Sequence, residues 1–256
     1  MTSLNECLIN ILINLIKSNT SFSLGRPFTY PLSHYIEVIF HVLRTGMQWC
    51  EINDNLHYSV YHKHFRKWTK LGLFNELYAI VTNMIKKLDA YNSNCFVDST
   101  IIRNICGTQD ISHNHKIKSK KGTKITVIVN SKGMPLSFHT TEARHNDVTL
   151  VLPCYNKINK ETNVRKLSGD KGYISKNMKK YFKDRHDVLY TYPNRKNSIE
   201  ITENEYNNNE RIVNENFFSW ITKYRRLTAR YDRFTDCFNS FICIAFSNTI
   251  LNKILK

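Results

Sequence analysis

The sequence predicts a mixed α/β domain preceded by a small all-helical region. Three observations carry that prediction. Through residue 92 the apolar residues recur at helical spacing. From Asn94 they change to short strand-like runs, one of them closed by the hairpin turn Asn130-Ser-Lys-Gly133. Beyond that hairpin, strand and helix patterns alternate, and the chain closes in helix.

Residues 4–17 form the first amphipathic pattern, which the polar run Ser18-Asn-Thr-Ser21 ends. Gly25-Arg26-Pro27 marks a tight basic turn. Pro31 suits the first turn of a helix over 32–45, with Ile36, Ile39, Phe40 and Leu43 inward and Gly46 as its stop. A helix over 58–71 turns Tyr61, Phe65 and Trp68 inward and His62, Lys63, Arg66, Lys67 and Lys70 outward, with Gly72 as its cap. Residues 74–91 supply a fourth helix. Compact basic helical modules of this size commonly bind duplex DNA, so residues 1–92 are expected to be a DNA-binding domain.

Residues 95–100 read as a short apolar strand whose end carries Asp98. After a basic loop over 113–122, residues 124–129 give a second strand, and 134–140 return as its hairpin partner. A short helix is expected near 147–152. A strand over 164–167 runs into Ser168-Gly169-Asp170-Lys171-Gly172-Tyr173. A helix over 175–184, a strand over 188–192 and a polar link over 194–210 follow. Residues 211–230 then read as one long amphipathic helix, with Val213, Phe217, Trp220, Tyr224 and Leu227 on one stripe and Glu215 roughly opposite. At helical pitch Arg211, Ser219, Thr222 and Arg226 share the face of Glu215. Residues 234–255 close the chain as a buried helix. The order suits a mixed five-stranded sheet, an antiparallel meander followed by parallel strands covered by helices, over residues 93–256.

The formal charge of +16 calls for a polyanionic partner, nucleic acid before membrane surface. The seven cysteines form no Cys-x-x-Cys pair and are odd in number, which reads as reduced thiols of an intracellular, soluble protein. The apolar run over 8–16 is too short to span a bilayer, so no membrane partner is expected. The His113-x-His115 and His57, His62, His64 groups have no cysteine or acid at ligand spacing, and zinc is not indicated.

Asp98 and Asp170 stand at comparable places, each at the end of a strand. Functional groups of open sheets gather at the carboxyl ends of adjacent strands. If the first and fourth strands are neighbours, the two acids meet, and the helix bearing Glu215 follows the fifth strand. Three hard oxygen ligands from separate elements suit a pair of Mg²⁺ ions, for which Mn²⁺ substitutes, in attack on a phosphodiester. Taken singly, each acid also has a plain reading. Asp98 before Ser-Thr suits a turn or cap, Asp170 suits a tight turn, and Glu215 suits a solvated helix face. Glu203, Glu205 and Glu210 compete with Glu215 for the third role.

The pieces, in order, resemble the DDE transposases of bacterial insertion sequences, in the branch with relatives in the Harbinger group. Gly25-Arg-Pro27, Val42-Leu-Arg44-Thr-Gly46-Met-Gln-Trp49 and the Phe-Arg-Lys-Trp core at 65–68 are similar to the family's amino-terminal helical region. Phe96-Val-Asp98-Ser-Thr100 resembles the first aspartate motif, and residues 124–135 the following hairpin. Gly169-Asp170-Lys171-Gly172-Tyr173 resembles the second aspartate motif. Arg211-x-x-x-Glu215, with Phe218-Ser-Trp220, Tyr224-Arg-Arg-Leu227 and Arg230-Tyr-Asp-Arg233, is similar to the glutamate motif and its basic continuation.

The resemblance implies an RNase H-like catalytic domain that cuts transposon ends and joins the freed 3′-hydroxyls to target DNA, working as a homodimer or larger synaptic assembly. It implies that Asp98, Asp170 and Glu215 hold the metal ions. It also implies that Arg211, Lys223, Arg225, Arg226 and Arg230 contact double-stranded DNA. Lys118, Lys120 and Lys121 of the basic loop are expected to touch phosphates on charge alone. The chain departs from the family at Asn208, where a tyrosine is frequent, and at Thr222, where a lysine is frequent. A domesticated DNA-binding protein that keeps the fold without cutting, and a nuclease that hydrolyses without joining, are the alternative readings.

Overall fold

The computed structural model describes residues 4–19, 27–88, 94–160, 162–193 and 211–255. The Gly25-Arg26 turn, Asn208, the link over 194–210 and the competing acids Glu203, Glu205 and Glu210 lie outside these residues. In chain order the first helices are α1 (Glu6–Asn19), α2 (Leu32–Thr45), α3 (Tyr58–Lys70) and α4 (Leu73–Leu88). Strands β1 (Asn94–Asn104), β2 (Ser112–Asn114), β3 (Lys120–Asn130) and β4 (Pro135–Glu142) follow. Then come α5 (Asp147–Tyr155), β5 (Lys166–Ser168), α6 (Lys176–His186) and β6 (Leu189–Thr191). The chain ends with α7 (Arg211–Ile221), β7 (Ala229–Arg230) and α8 (Thr235–Ile254). They form two compact units that interleave along the sequence. One takes in residues 1–85, 103–109 and 221–256, the other 86–102 and 110–220.

In the first unit α2 buries Ile36, Ile39, Phe40 and Leu43, the residues its spacing marks, and ends at Gly46. Gly46 has φ of 72°, and its N–H reaches the Val42 carbonyl at 2.9 Å, which closes the helix in the left-handed conformation. A Cβ there would also come within 3.0 Å of Arg225 Cβ, so both conformation and space require glycine. Helix α3 buries Tyr61, Phe65 and Trp68 and leaves Lys63, Lys67 and Lys70 exposed, as its periodicity predicts. Helix α8 is apolar on all sides and forms the centre of this core. Phe241 stacks on Phe65 at 4.5 Å, Ser240 accepts from Thr69 at 3.0 Å, and Asn248 accepts from the Asn5 N–H at 2.9 Å.

The long helix expected over 211–230 stops at Ile221. Tyr224 takes an extended backbone, a single 3₁₀ turn covers Arg225–Leu227, and β7 pairs with the end of β1 at Arg103 and Asn104. The apolar stripe divides physically. Phe217 and Ile221 are buried on α7, but Tyr224 and Leu227 are drawn into the core around α2 and α8. Tyr224 meets Phe40 at 6.1 Å and accepts from the Asn248 side chain at 3.0 Å. That packing outweighs the local preference to continue the helix.

The second unit holds the sheet. Its order is β2-β3-β1-β5-β6, with β4 also on β3. β3 and β4 are an antiparallel hairpin, and β1, β5 and β6 are parallel. Ser99 bonds Thr126 while Gly122 lies against Ile101 and Ile102, so β1 and β3 run in opposite directions. This is the mixed α/β architecture that the pattern predicts, with an antiparallel meander and then parallel strands, but the sheet has seven strands among the described residues and not five, because β2 and β7 also pair. The basic loop is shorter than expected, because residues 112–114 and 120–122 pair as strands. Helix α5 covers β3 and β4 through Cys154, whose thiol meets the Thr126 carbonyl and Ser137 hydroxyl at 3.5 and 3.4 Å. Helix α6 covers β6, with Phe182 stacked on Tyr190 at 5.4 Å.

Candidate active site

β1 and β5 pair as Asn94 with Lys166, Cys95 with Leu167 and Phe96 with Ser168. Asp98 stands two residues further along β1, and Asp170 two residues past the end of β5, which sets the two acids near the same level. β5 has ended at Ser168, whereas β1 continues to Asn104. Asp98 is therefore not at the end of its own strand, as expected, but at the point where its neighbour stops. Alternation along β1 places Asp98 and Ser99 on opposite faces of the sheet.

Asp170 is exposed and opens a 3₁₀ turn, where it accepts from the Gly172 N–H at 2.7 Å. Asp98 accepts from the Ser99 N–H at 2.7 Å. Several bonds fix the turn that aims Asp170. The Gly169 N–H donates to the Thr191 carbonyl at 3.0 Å, and the Ser168 and Thr191 hydroxyls meet at 2.8 Å. Tyr190 donates to the Tyr173 carbonyl at 2.8 Å. The Tyr173 hydroxyl meets Ser99 at 2.7 Å, and Ser99 meets Thr126 at 2.8 Å. Gly169 is required by the close approach of Tyr173, since a Cβ there would lie 2.6 Å from Tyr173 Cβ.

Burial first, then the charges of Asp98, Asp147 and Asp170, push the Tyr173 hydroxyl well above its ordinary pKa, against the bond from Ser99. That phenol therefore sits under the influence of three carboxylates. Lys124 is the residue that the motifs do not single out, and Asp147 is its partner. Asp147 is the first residue of α5, at the start of the helix expected near 147–152, and Asn146 is the cap. Lys124 is 4% exposed in β3 and meets Asp147 Oδ1 at 2.6 Å. The signal was present in the sequence, because a lysine inside the apolar run Lys124-Ile-Thr-Val-Ile-Val129 needs a buried counter-charge.

Glu215 is exposed on α7, on the side away from buried Asn214, Phe217 and Ile221. Among the described residues no three His, Cys, Asp or Glu side chains gather into a group able to hold a metal ion. The strand register sets Asp98 and Asp170 near the same level, and among the described residues Glu215 joins no such group with them. The donor chemistry at Asp98 and Asp170 fits a hard divalent cation, since both are carboxylates.

The expected DNA contacts divide. Lys118, Lys120, Lys121, Lys223 and Arg225 are exposed, and the Arg211 side chain lies outside what is described. Arg226 and Arg230 are corrections. Arg226 is 4% exposed and donates to both Asp232 oxygens, at 3.2 and 3.0 Å, and to the Met47 carbonyl at 3.0 Å. Arg230 is fully buried, donates to the Asp232 carbonyl and the Thr235 hydroxyl, and lies 5.3 Å from the Phe238 ring centre. Both guanidinium groups are occupied inside the helical unit. The helical face that Arg226 was to share with Glu215 does not form, because α7 has ended before it.

Residues 93–247 match the transposase DDE domain family. The chain belongs to this family of transposases. The matched span includes Asp98, Asp170 and Glu215. None of the curated proteins matches the chain. Among solved structures the chain is similar to a piggyBac transposase in a synaptic complex with hairpin DNA. The identity is 12%, covering 98% of this chain and 73% of that one, with a TM-score of 0.49. Among the described residues, no helix of this DDE transposase is long and apolar enough to cross a membrane.

Proposed function

We propose that this transposase cleaves DNA at transposon ends and joins the freed 3′-hydroxyls to target DNA, using divalent metal ions held by Asp98, Asp170 and Glu215. The observation that supports it best is the pairing of parallel β1 with β5, which sets Asp98 on β1 near the level of Asp170 just past the end of β5. Two carboxylates so placed supply hard oxygen donors from separate elements, while the bonded turn around Gly172 holds Asp170. Mg²⁺, or Mn²⁺ in its place, supplies Lewis acidity for phosphodiester chemistry when bound. Glu215 adds the third carboxylate from α7. The chain's own residues orient the DNA. Exposed Lys118, Lys120, Lys121, Lys223 and Arg225, with Arg211, contact phosphates, and the basic face of α3, in the helical region over 1–92, grips the duplex. Two or more copies pair the transposon ends.

The test is metal-dependent nicking of DNA that carries the flanking repeat ends, with Asp98→Asn as control. Cuts at the ends that need Mg²⁺ or Mn²⁺ and vanish in the variant support the reading. Tight binding without cutting, identical in both proteins, assigns the chain instead as a transposase-derived DNA-binding protein. Supplying a pre-cut end with a free 3′-hydroxyl separates strand transfer from plain hydrolysis.

A further inference from the structure

Lys124 places a positive charge inside the domain, near acids read here as cation ligands. Its ammonium donates to the His145 carbonyl and to Asp147 Oδ1, the latter at 2.6 Å. Both partners sit where the chain enters α5, so Lys124 ties that entry to β3. Asp147 Oδ2 faces the other way. It lies 3.7 Å from the exposed Lys116 ammonium and 3.6 Å from the point where a Gly172 Cβ would stand. Asp170 Oδ1 lies 2.9 Å from that same point, so the two carboxylate oxygens are no further apart than the sum of those two distances. Asp147 thus stands between a buried ammonium and the Asp170 turn.

A buried charge acts at longer range than an exposed one, because little water screens it. An uncompensated Lys124 ammonium would oppose a divalent cation at Asp98 and Asp170. We propose that Asp147 neutralises Lys124 so that the acid pair can load its cation. Asp147 is then a positioning residue that acts through Lys124, not a cation ligand. Lys124 itself serves folding, by fastening the start of α5 to the sheet. This inference rests on the reading of Asp98 and Asp170 as metal ligands.

The two roles give opposite signatures in the full-length protein without DNA, read by Mn²⁺ affinity and by melting temperature. Asp147→Asn leaves the ammonium uncompensated and weakens Mn²⁺ binding by about tenfold or more, the scale of an outer partner of a metal site. Lys124→Met lowers the melting temperature but leaves Mn²⁺ affinity undiminished. The double variant, with a neutral pair, returns most of the affinity lost in Asp147→Asn. A double variant as weak as Asp147→Asn overturns the proposal, because Asp147 would then be a ligand in its own right. Mn²⁺ binding that weakens in Lys124→Met also overturns it, and this arm stands even if Asp147→Asn does not fold. Asp98→Asn is the separate control. If it binds Mn²⁺ as the wild type does, the reading of the acids fails and takes the charge-neutralising role with it. If it loses Mn²⁺ while Asp147→Asn does not, only the role of Asp147 fails.

Discussion

Asp98 and Asp170 each stand two residues beyond Phe96 and Ser168, the last residues that β1 and β5 pair. The separation of the two acids in sequence is thereby fixed by strand pairing and tolerates no single-residue slip. A slip by one would turn one of the acids to the opposite face. Asp170→Asn and Glu215→Gln are each expected to abolish cleavage while leaving DNA affinity intact. Full activity of the Asp170 variant in the nicking assay would remove that residue from the site.

Gly172 is the hinge of the same edge. A Cβ at this position meets Asp170 Oδ1 at 2.9 Å, and Asp147 Oδ2 lies beyond at 3.6 Å. Gly172→Ala therefore displaces the carboxylate that the Gly172 N–H now holds. Cleavage falls by about tenfold or more, the usual cost of disturbing an outer partner. The melting temperature stays near that of the wild type. Gly169→Ala behaves differently, since its Cβ strikes the buried Tyr173 side chain, and overpacking of this kind costs about 1–3 kcal/mol of stability. Thermal melts of the two variants side by side check the contrast.

Removing Arg226 is a stability experiment, not a DNA-binding one. Arg226→Ala leaves the Asp232 carboxylate buried without its bidentate partner, which costs about 3–5 kcal/mol. The salt dependence of DNA binding in the folded variant remains that of the wild type. A slope shallower by one would return Arg226 to the set of phosphate contacts.

These arginines show where sequence reading fails. Helical spacing located α2 and α3 closely, because each buries one face whose residues recur three or four apart, and the apolar run over 234–255 located α8. The pairing of the strands that bear Asp98 and Asp170 entered the sequence reading only as a condition, and Asp98 stands inside β1, not at its end. The end of α7 was not legible. Tyr224 and Leu227 continue the α7 stripe in phase, and only the competing core around Phe40 and Asn248 ends the helix. Charge misled as well. Arg226 and Arg230 look like a surface in the sequence, but Asp232 and Phe238 lie a few residues further along and draw both side chains inside. Lys124 shows the converse, a cation that periodicity places in the core and whose partner, Asp147, lies too far along the chain for any local pattern to supply.

The exposed face of α3 makes a quantitative expectation. Lys67→Ala reduces the slope of log affinity against log salt by about one, the mark of one lost phosphate contact, with stability changed by no more than about 0.5 kcal/mol. A slope equal to that of the wild type assigns Lys67 to plain solvation.

Lys253, in the last turn of α8, gives the helical unit a pH signature. Burial brings its pKa down from 10.5 to about 8. Between those values the unfolded chain holds a proton that the folded one has released, so the folded state gains stability as pH rises through that window. Below pH 8 the folded state carries a half-buried charge at a cost. Lys253→Met accordingly raises the melting temperature at pH 7, and the advantage shrinks from pH 8 upward. Melts at pH 7 and pH 10 compare the two proteins directly.

Helix α8 carries one more consequence, for the growing polypeptide on the ribosome. Its side chains occupy the centre of a core whose outer helices, α1 to α3, are made first, and Asn248 closes on Asn5. The early helices therefore emerge with their apolar faces uncovered and wait through most of synthesis for the element that joins them. Any nascent fragment that stops short of residue 235 lacks the centre of this core.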